Sequence, residues 1–377
     1  DAKTDDARLV LRVLQEAIAA GATALNYMAA TEVVRQNGKI KGVHLRDAIS
    51  GATCTVRAKA VINATGAWAD GLRVKAPGAP QLRPLRGSHL VFPAWRLPVA
   101  QAVSLMHPHD GRPVFAFPWE GVTLVGTTDV DHRADMRAEA AITPEEADYL
   151  MAAVAWQFPQ LGIGRGDILA TYAGVRPVID SGKADPSKEG RDHAVWLEDG
   201  LLTVAGGKLT TFRLIALDAL KRAAPLLPDW HEQPRIAPIF SPPPPLPYDA
   251  RLGTLQRQRL AGRHGRHAPA LLAAAQRGEL ETIPGTLTLW AELRWAARAE
   301  AVMRLEDLLL RRTRLGLQLR GGGAELLPRI RAICQPELGW NDARWEAEQA
   351  AYLALWQRCH CVPPAAERKP ASSNSAL

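Results

Sequence analysis

The stretch that most restricts how this chain can fold is "SPPPPLPYDA", Ser241 to Ala250. Four consecutive prolines have no N–H to give to a helix or a sheet ladder, and they hold the backbone extended. The stretch is therefore a stiff connector between two differently built parts. Before it, β-rich runs alternate with turns; after it, apolar residues recur at helical spacing. The expected architecture is mixed α/β (α+β). Its first domain covers residues 1–240, with a mainly antiparallel sheet over 81–196, followed by a linker at 241–250. A helical domain follows over 251–361, and a Pro/Ala/Ser-rich tail over 362–377 is expected to be disordered.

In the first part, Thr4-Asp5 can cap a helix whose stripe is Leu9, Val13, Ala17 and Ile18, stopped by Gly21. Asn37-Gly38 is a two-residue hairpin turn between β-rich runs. A further run, "ATCTVRAKAVINATGAW", continues the sheet and ends in Ala64-Thr65-Gly66, where glycine admits a close neighbour. Thr143, Pro144 and Glu146 form the capping box of one helix inside the 81–196 sheet. Beyond the connector, Leu289, Leu293, Ala296, Ala297, Val302, Leu305, Leu308 and Leu309 mark a helical stripe, and a last helix carries Trp345, Leu353 and Trp356.

The 377 residues carry a formal net charge of +7, mostly from arginine, which favours anionic partners: phosphorylated metabolites, anionic lipid or nucleic acid. No nucleic-acid motif accompanies the charge, so nucleic acid is not expected as a partner. No apolar run is long enough to span a bilayer. Of the four cysteines, Cys359 and Cys361 flank His360 too tightly for a usual zinc site, so no metal is expected. Sparse cysteine without a secretion signal suggests a reducing compartment.

Four clusters could carry chemistry. In "LLTVAGGKLTTFRLIALDAL" a strand runs through Gly206-Gly207 into a helix that begins after Lys208-Leu209-Thr210. Backbone donors at a helix start, with a lysine beside them, suit a phosphate or the electron-rich edge of a flavin; a solvated αβ turn is the alternative. In "YAGVRPV", Arg176 precedes a proline and offers a fixed fork for phosphate or carboxylate, or else sits in an edge salt bridge. Arg191 is a further cation shortly after. In "RGSHL", His89 lies in a strand pattern and is either a base or a satisfied core histidine. In "VGTTD", Thr127, Thr128 and Asp129 either orient a ligand or cap a turn. No G-x-G-x-x-G follows a strand, and no Walker loop is present; "GIGRG", Gly162 to Gly166, follows Phe158-Pro159 rather than an apolar strand.

Taken in order, "TDDARLV", "VINATGAWAD", "LRGSHLVFP", "VGTTDVD", "YAGVRPV", "AGGKLTTFR" and "RAEAVMRLEDLLLRRTRLGL" resemble the FAD-dependent glycerol-3-phosphate dehydrogenase family over nearly the whole chain. The resemblance implies an FAD-linked fold, part Rossmann-like and part antiparallel substrate sheet. It implies a peripheral membrane flavoenzyme on the cytoplasmic face. That enzyme oxidises glycerol 3-phosphate to dihydroxyacetone phosphate by hydride transfer to FAD and passes electrons to quinone. Carried over by motif, Arg176, Lys208 and Arg191 would meet the substrate together with Thr128, and His89 would take or relay the hydroxyl proton. Gly206, Gly207, Lys208, Leu209 and Thr210 would line the flavin's pyrimidine edge, and Ala64, Thr65 and Gly66 the cofactor's other end. Arginines between Arg294 and Arg320, with the net charge, would face anionic lipid, and a homodimer is compatible with the family.

The family opens with a strand, a glycine-rich loop and a helix that grip the ADP half of FAD, and no such segment precedes Asp5-Asp6-Ala7. The chain is thus expected to be N-terminally shortened and to lack activity on its own. Three other readings remain: a flavin oxidase or dehydrogenase of a 2-hydroxy or amino acid, a glycerophosphate oxidase using oxygen, and a non-catalytic remnant or interaction module.

Overall fold

The structure is a computed structural model. It describes residues 3–73, 82–185, 189–190, 192–227, 229–232, 234 and 236–366. Asp5 caps helix α1 (Asp6–Ala19) by accepting the Arg8 N–H at 3.3 Å. The expected apolar stripe does not form the buried face. Leu9, Val13 and Ala17 are half-buried and Ile18 is 52% exposed, whereas Arg8 and Arg12 are buried. The cause is the partner surface: Arg8 reaches Glu300, and Arg12 donates to the Gly262 carbonyl at 2.7 Å, both in the helical domain.

Three sheets follow. Strands β1 (Met28–Gln36) and β2 (Lys39–Asp47) turn at Asn37 and Gly38, both at positive φ as a two-residue hairpin requires, and β3 (Thr53–Arg57) pairs with β2. The run through "VINATG" is not a continuation of that sheet, as the sequence suggested. It restarts as β4 (Val61–Asn63), leads into a short α2 (Ala69–Leu72), and joins a different sheet. The second sheet is antiparallel. It contains β5 (Leu82–Pro93), β6 (Val103–Met106), β7 (Pro113–Trp119), β8 (Val122–Gly126), β9 (Val130–Asp131) and β10 (Ala170–Ile179), in the order β10-β5-β8-β7-β6 with β9 also on β5. Helix α3 (Pro144–Gln157) starts at the expected capping box: Thr143 N–H donates to Glu146 Oε2 at 3.0 Å. It lays Ala147, Leu150, Ala153 and Val154 on Leu90, Phe92, Val114 and Val125 of the sheet. In the third sheet, β11 (His193–Glu198) and β12 (Leu201–Gly206) form a hairpin, and β12 pairs in parallel with β4. A single turn at Leu209–Thr211 then leads into α4 (Phe212–Ala223).

Past the connector come α5 (Thr254–His264), α6 (Ala268–Ala274), α7 (Trp290–Ala299), a π-type turn at Asp307–Arg312, α8 (Leu315–Gln318), α9 (Leu327–Leu338) and α10 (Asp342–Cys359). These helices share one core with the antiparallel sheet: Val91, Val122, Leu124 and Ala170 pack with Leu293, Leu305, Leu315, Trp345 and Trp356. The proline stretch joins parts that are already in contact, and Ser241 within it donates to Glu16 at 3.0 Å. The start of the tail also departs from the expected disorder. Val362 packs on the α3 core, Arg165 donates to the carbonyls of Pro363 and Pro364, and Ala366 N–H donates to Asp148. The rest of the tail, 367–377, lies outside the described residues.

Candidate functional site

The antiparallel sheet brings three of the sequence clusters onto adjacent strands. On β5, His89 stands opposite Gly126 of β8 and Tyr172 of β10. Its ring stacks on Tyr172, with centroids 4.7 Å apart and planes 3° apart. On the other side it covers Gly126, where an added Cβ would come within 2.2 Å of the imidazole. The ring lines a cavity of about 550 Å3 together with Lys3, Phe115, Phe117 and Thr127, and its Nδ1 has no hydrogen-bond partner. Burial, and then the nearby Arg176 charge, push its pKa down to about 3, so the ring is neutral near pH 7.

Arg176 projects from β10 across Gly87 of β5. A Cβ at Gly87 would come within 2.1 Å of the guanidinium, so only glycine leaves it this path. It donates to Asp129 Oδ1 at 3.0 Å and to Thr127 Oγ1 at 3.0 Å. Asp129 is buried and also lies 3.6 Å from Arg112. Arg176 is thus a clamped fork with its charge partly balanced, and both sequence readings, ligand fork and salt bridge, describe part of it.

Thr128 is not where the motif suggested. Its hydroxyl donates to buried Glu146 at 2.6 Å and accepts the Ser88 N–H at 2.9 Å, and the residue is only 3% exposed, which turns it into the protein interior. Thr127 faces the cavity instead. Both residues lie in the loop just past the end of β8, and the buried Glu146 of α3 takes the Thr128 hydroxyl. Glu146 also holds Ser88 Oγ at 2.9 Å and Arg86 at 2.8 Å, which fixes the strand that carries His89.

The second group lies where parallel strands β4 and β12 end side by side. Ala64 and Thr65 are exposed at the end of β4, and Gly66 has positive φ with open space at its Cβ position. Thr65 donates to Asn63 at 2.7 Å, while Asn63 donates to the Ala69 carbonyl at 2.9 Å, which sets the bend. At the end of β12, Gly206 and Gly207 have φ of +74° and +83°. A Cβ on Gly206 would come within 2.5 Å of the Asp192 carbonyl, and one on Gly207 within 2.5 Å of the Ile215 side chain. The twin glycines therefore answer first to packing of the protein on itself, not to an approaching ligand. Lys208, Leu209 and Thr210 are exposed beyond them, and Lys208 makes no ion pair among the described residues. The turn uses two of the N–H groups expected to be open, since Thr211 donates to the Lys208 carbonyl and Phe212 to that of Leu209.

Strand β10 links the two groups: Ile179 packs against Gly206, and Arg176 lies three residues earlier on the strand, about 10 Å away. The structure unites His89, Thr127 and Arg176, and separately unites Ala64–Gly66 with Gly206–Thr210. Arg191 lies outside the described residues. Sequence reading missed Lys3, the clamping of Arg176 by Asp129, the stacking of Tyr172 on His89 and the paired roles of Gly87 and Gly126. Isolated glycines inside strands were the available signal.

Two expected outcomes follow from this geometry. Gly207→Ala should lower stability by about 1–3 kcal/mol in thermal or urea unfolding, through positive φ and overpacking. Ile215→Val in the same chain should recover part of the loss. For His89, the depressed pKa means that the unfolded chain binds more protons between about pH 6.5 and 3. His89 should therefore cost stability progressively as pH falls through that window and contribute no slope above it. His89→Phe should flatten the acid side of a stability–pH curve.

Comparison with known proteins gives a consistent set. The family described as FAD dependent oxidoreductase matches residues 1–216, and the C-terminal domain of alpha-glycerophosphate oxidase matches residues 248–345. The aerobic glycerol-3-phosphate dehydrogenase of Bacillus subtilis is 41% identical over 217 residues, covering 57% of this chain and 39% of that protein. Glycerol-3-phosphate dehydrogenase 2 of Mycobacterium tuberculosis is 31% identical over 378 residues, covering 94% of this chain and 63% of that one. The structure of the glycerol-3-phosphate dehydrogenase of Bacillus halodurans, complexed with FAD, superposes with a TM-score of 0.76 at 28% identity. It covers 94% of this chain and 74% of that one. The chain spans less than two thirds of the length of these two curated relatives.

Proposed function

Because this chain belongs to the FAD dependent oxidoreductase family, we propose that it oxidises glycerol 3-phosphate to dihydroxyacetone phosphate with FAD as the acceptor. The observation that carries the reading is a neutral, cavity-lining His89 beside the clamped Arg176 fork. The chain that holds them aligns over 94% of its length with a protein named glycerol-3-phosphate dehydrogenase.

The residues fit the cofactor at the paired strand ends. Open space at Gly66, exposed Ala64 and Thr65, and exposed Leu209 and Thr210 leave room for a flat ring at the carboxyl ends of parallel β4 and β12. FAD, when bound, supplies a two-electron acceptor for hydride. The chain's own residues do the rest. Arg176, held by Asp129 and Thr127, sets a cation beside the cavity for the substrate's anionic end, and exposed Lys208 adds a second charge from the β12 side. His89, neutral and lining the cavity, accepts the C2 hydroxyl proton on its unprotonated ring nitrogen. A dianionic substrate beside the ring offsets the Arg176 charge and raises the proton affinity of His89 at the moment it is needed. Phe115 and Phe117 keep the cavity wall apolar.

Quinone as the final acceptor and a peripheral site on the cytoplasmic face of an anionic membrane belong to the same proposal. The net charge of +7 supports the membrane site. The arginines between Arg294 and Arg320 do not: Arg294 is buried against Glu279 and Glu337, Arg311 pairs with Glu306 and Asp307, and Arg314 with Asp5 and Asp6. No helix among the described residues is long and apolar enough to cross a membrane.

The test is dye-coupled oxidation by the protein expressed from its full coding sequence, offered glycerol 3-phosphate, lactate and glycine in parallel. Turnover of glycerol 3-phosphate alone is expected. Turnover of lactate or glycine instead would reassign Arg176 to a carboxylate. Hydrogen peroxide formed in step with product would replace quinone by oxygen.

A further inference from the structure

A second cavity, of about 460 Å3, lies between α1, α5 and the proline connector, and its lining includes Leu9, Arg12, Phe240, Pro243 and Ala261. It shares Lys3 and Thr4 with the His89 cavity but none of the residues given a part in the oxidation. Arg12 is 9% exposed, and no carboxylate among the described residues lies within ion-pair distance of it. Glu16, one turn along α1, is taken by Arg266 at 2.7 Å and by Ser241 at 3.0 Å. The carboxylates at the cavity are matched as well. Asp5 lies 3.0 Å from Arg263 and 3.3 Å from Arg314, and Glu120 lies 2.8 Å from Arg259 and 3.4 Å from Arg263. Arg12 is therefore a largely buried charge without a counterion, which a protein interior keeps only at a cost. Burial holds its pKa below the usual arginine value. The guanidinium is also fixed in place. Its Nη1 donates to the Gly262 carbonyl at 2.7 Å, and its carbon lies 5.2 Å from the centre of the Phe240 ring. The Gly265 backbone is so close that an added Cβ would come within 2.4 Å of it. Nε and Nη2 remain. They have no hydrogen-bond partner among the described residues and, unlike the Nε atoms of Arg8 and Arg263, they are not sealed from solvent.

We propose that this cavity binds a small monocarboxylate with an apolar body, its carboxylate on the open Nε–Nη2 edge of Arg12. Those two N–H groups of a guanidinium point the same way, at the spacing of the two oxygens of a carboxylate, so one ligand group takes both donors. One negative charge balances the one cation that the protein leaves unmatched. A dianion such as phosphate would bring a second negative charge close to Asp5 and Glu120. Leu9, Phe240, Pro243 and Ala261 supply an apolar wall for the rest of the ligand, and the volume is in the range of small-molecule sites. The assignment stands apart from the proposed oxidation, since it uses none of the same side chains.

Isothermal titration with benzoate, benzamide and inorganic phosphate, on the protein expressed from its full coding sequence, tests it. Benzoate is expected to bind saturably. Benzamide, the neutral molecule of the same shape, is expected not to bind, and phosphate to bind at least about tenfold more weakly than benzoate. Arg12→Lys keeps the charge and loses the two-donor edge, and it should weaken benzoate at least about fivefold. Ala261→Leu touches no charge and fills the cavity from α5, and it should abolish binding at a melting temperature close to that of wild type. Arg176→Met is expected to bind benzoate as wild type does, which separates this cavity from the one at His89. The proposal is overturned if benzoate gives no saturable heat, or if benzamide or phosphate binds as tightly as benzoate. It is equally overturned if Arg12→Lys or Ala261→Leu binds benzoate unchanged, or if Arg176→Met loses it. None of these outcomes bears on turnover of glycerol 3-phosphate, so the two readings stand or fall separately.

Discussion

Glu300→Ala is expected to destabilise the protein by about 3–5 kcal/mol in urea unfolding, the cost of leaving a buried charge without its partner. Arg8 of α1 donates to both Glu300 oxygens, at 2.5 and 3.0 Å, and the two side chains are 5% and 0% exposed. Arg8 also donates to the Arg312 carbonyl at 2.6 Å, so the guanidinium is fixed from two sides. Behind the pair, His264 sits between Glu300, at 3.7 Å, and Glu292, at 3.0 Å, and Glu292 takes Arg259 at 2.7 Å. This buried charge network fastens α1 to the helical domain. Removing both partners should be far milder than removing one: Arg8→Met with Glu300→Leu is expected to lie within about 1 kcal/mol of wild type or above it. The Arg8 charge holds the Glu300 pKa down to about 2 against the burial that would raise it. That stabilisation is fully present above about pH 4.5 and is lost as pH falls toward 2, so Glu300→Ala should cost less at pH 3 than at pH 7.

Arg176→Lys is expected to lower kcat/KM for glycerol 3-phosphate by about 10²–10³-fold with little change in melting temperature. A lysine ammonium is a point donor; it cannot hold Asp129 and Thr127 at once and still present a flat fork to the substrate. Gly87→Ala should produce a similar loss without touching any charge, because its Cβ would occupy the path of the guanidinium. Steady-state kinetics on the two variants check this. Wild-type kcat/KM in Gly87→Ala would show that the path of Arg176 across β5 has no part in turnover.

Local rules were readable wherever neighbours in sequence settle the structure. The Asp5 cap, the Asn37-Gly38 hairpin and the Thr143–Glu146 capping box all appear as expected, because each is closed by hydrogen bonds within a few residues. The clusters around His89, Arg176 and Gly206 were also legible as candidates. Their division of labour was not. Whether Thr127 or Thr128 faces the cavity depends on Glu146, contributed by α3. Whether the glycines of "AGGK" admit a ligand or the protein itself depends on Ile215 and on the Asp192 carbonyl. The stripe on α1 misled because its helix buries Arg8 against the Glu300 carboxylate and Arg12 against the Gly262 carbonyl, both far along the chain.

Sequence alone determined the family, the strand and helix content, and the residue types available for phosphate, flavin and proton handling, since motif order and backbone propensity are local properties. Tertiary structure alone decided which donors remain free. Arg294, Arg311 and Arg314 look cationic in sequence and are matched by carboxylates in space, while Gln318 looks ordinary in sequence and is left unpaired beside a cavity. Electrostatic and hydrogen-bond partners far apart in sequence are set by proximity in three dimensions, and no spacing along the chain encodes them.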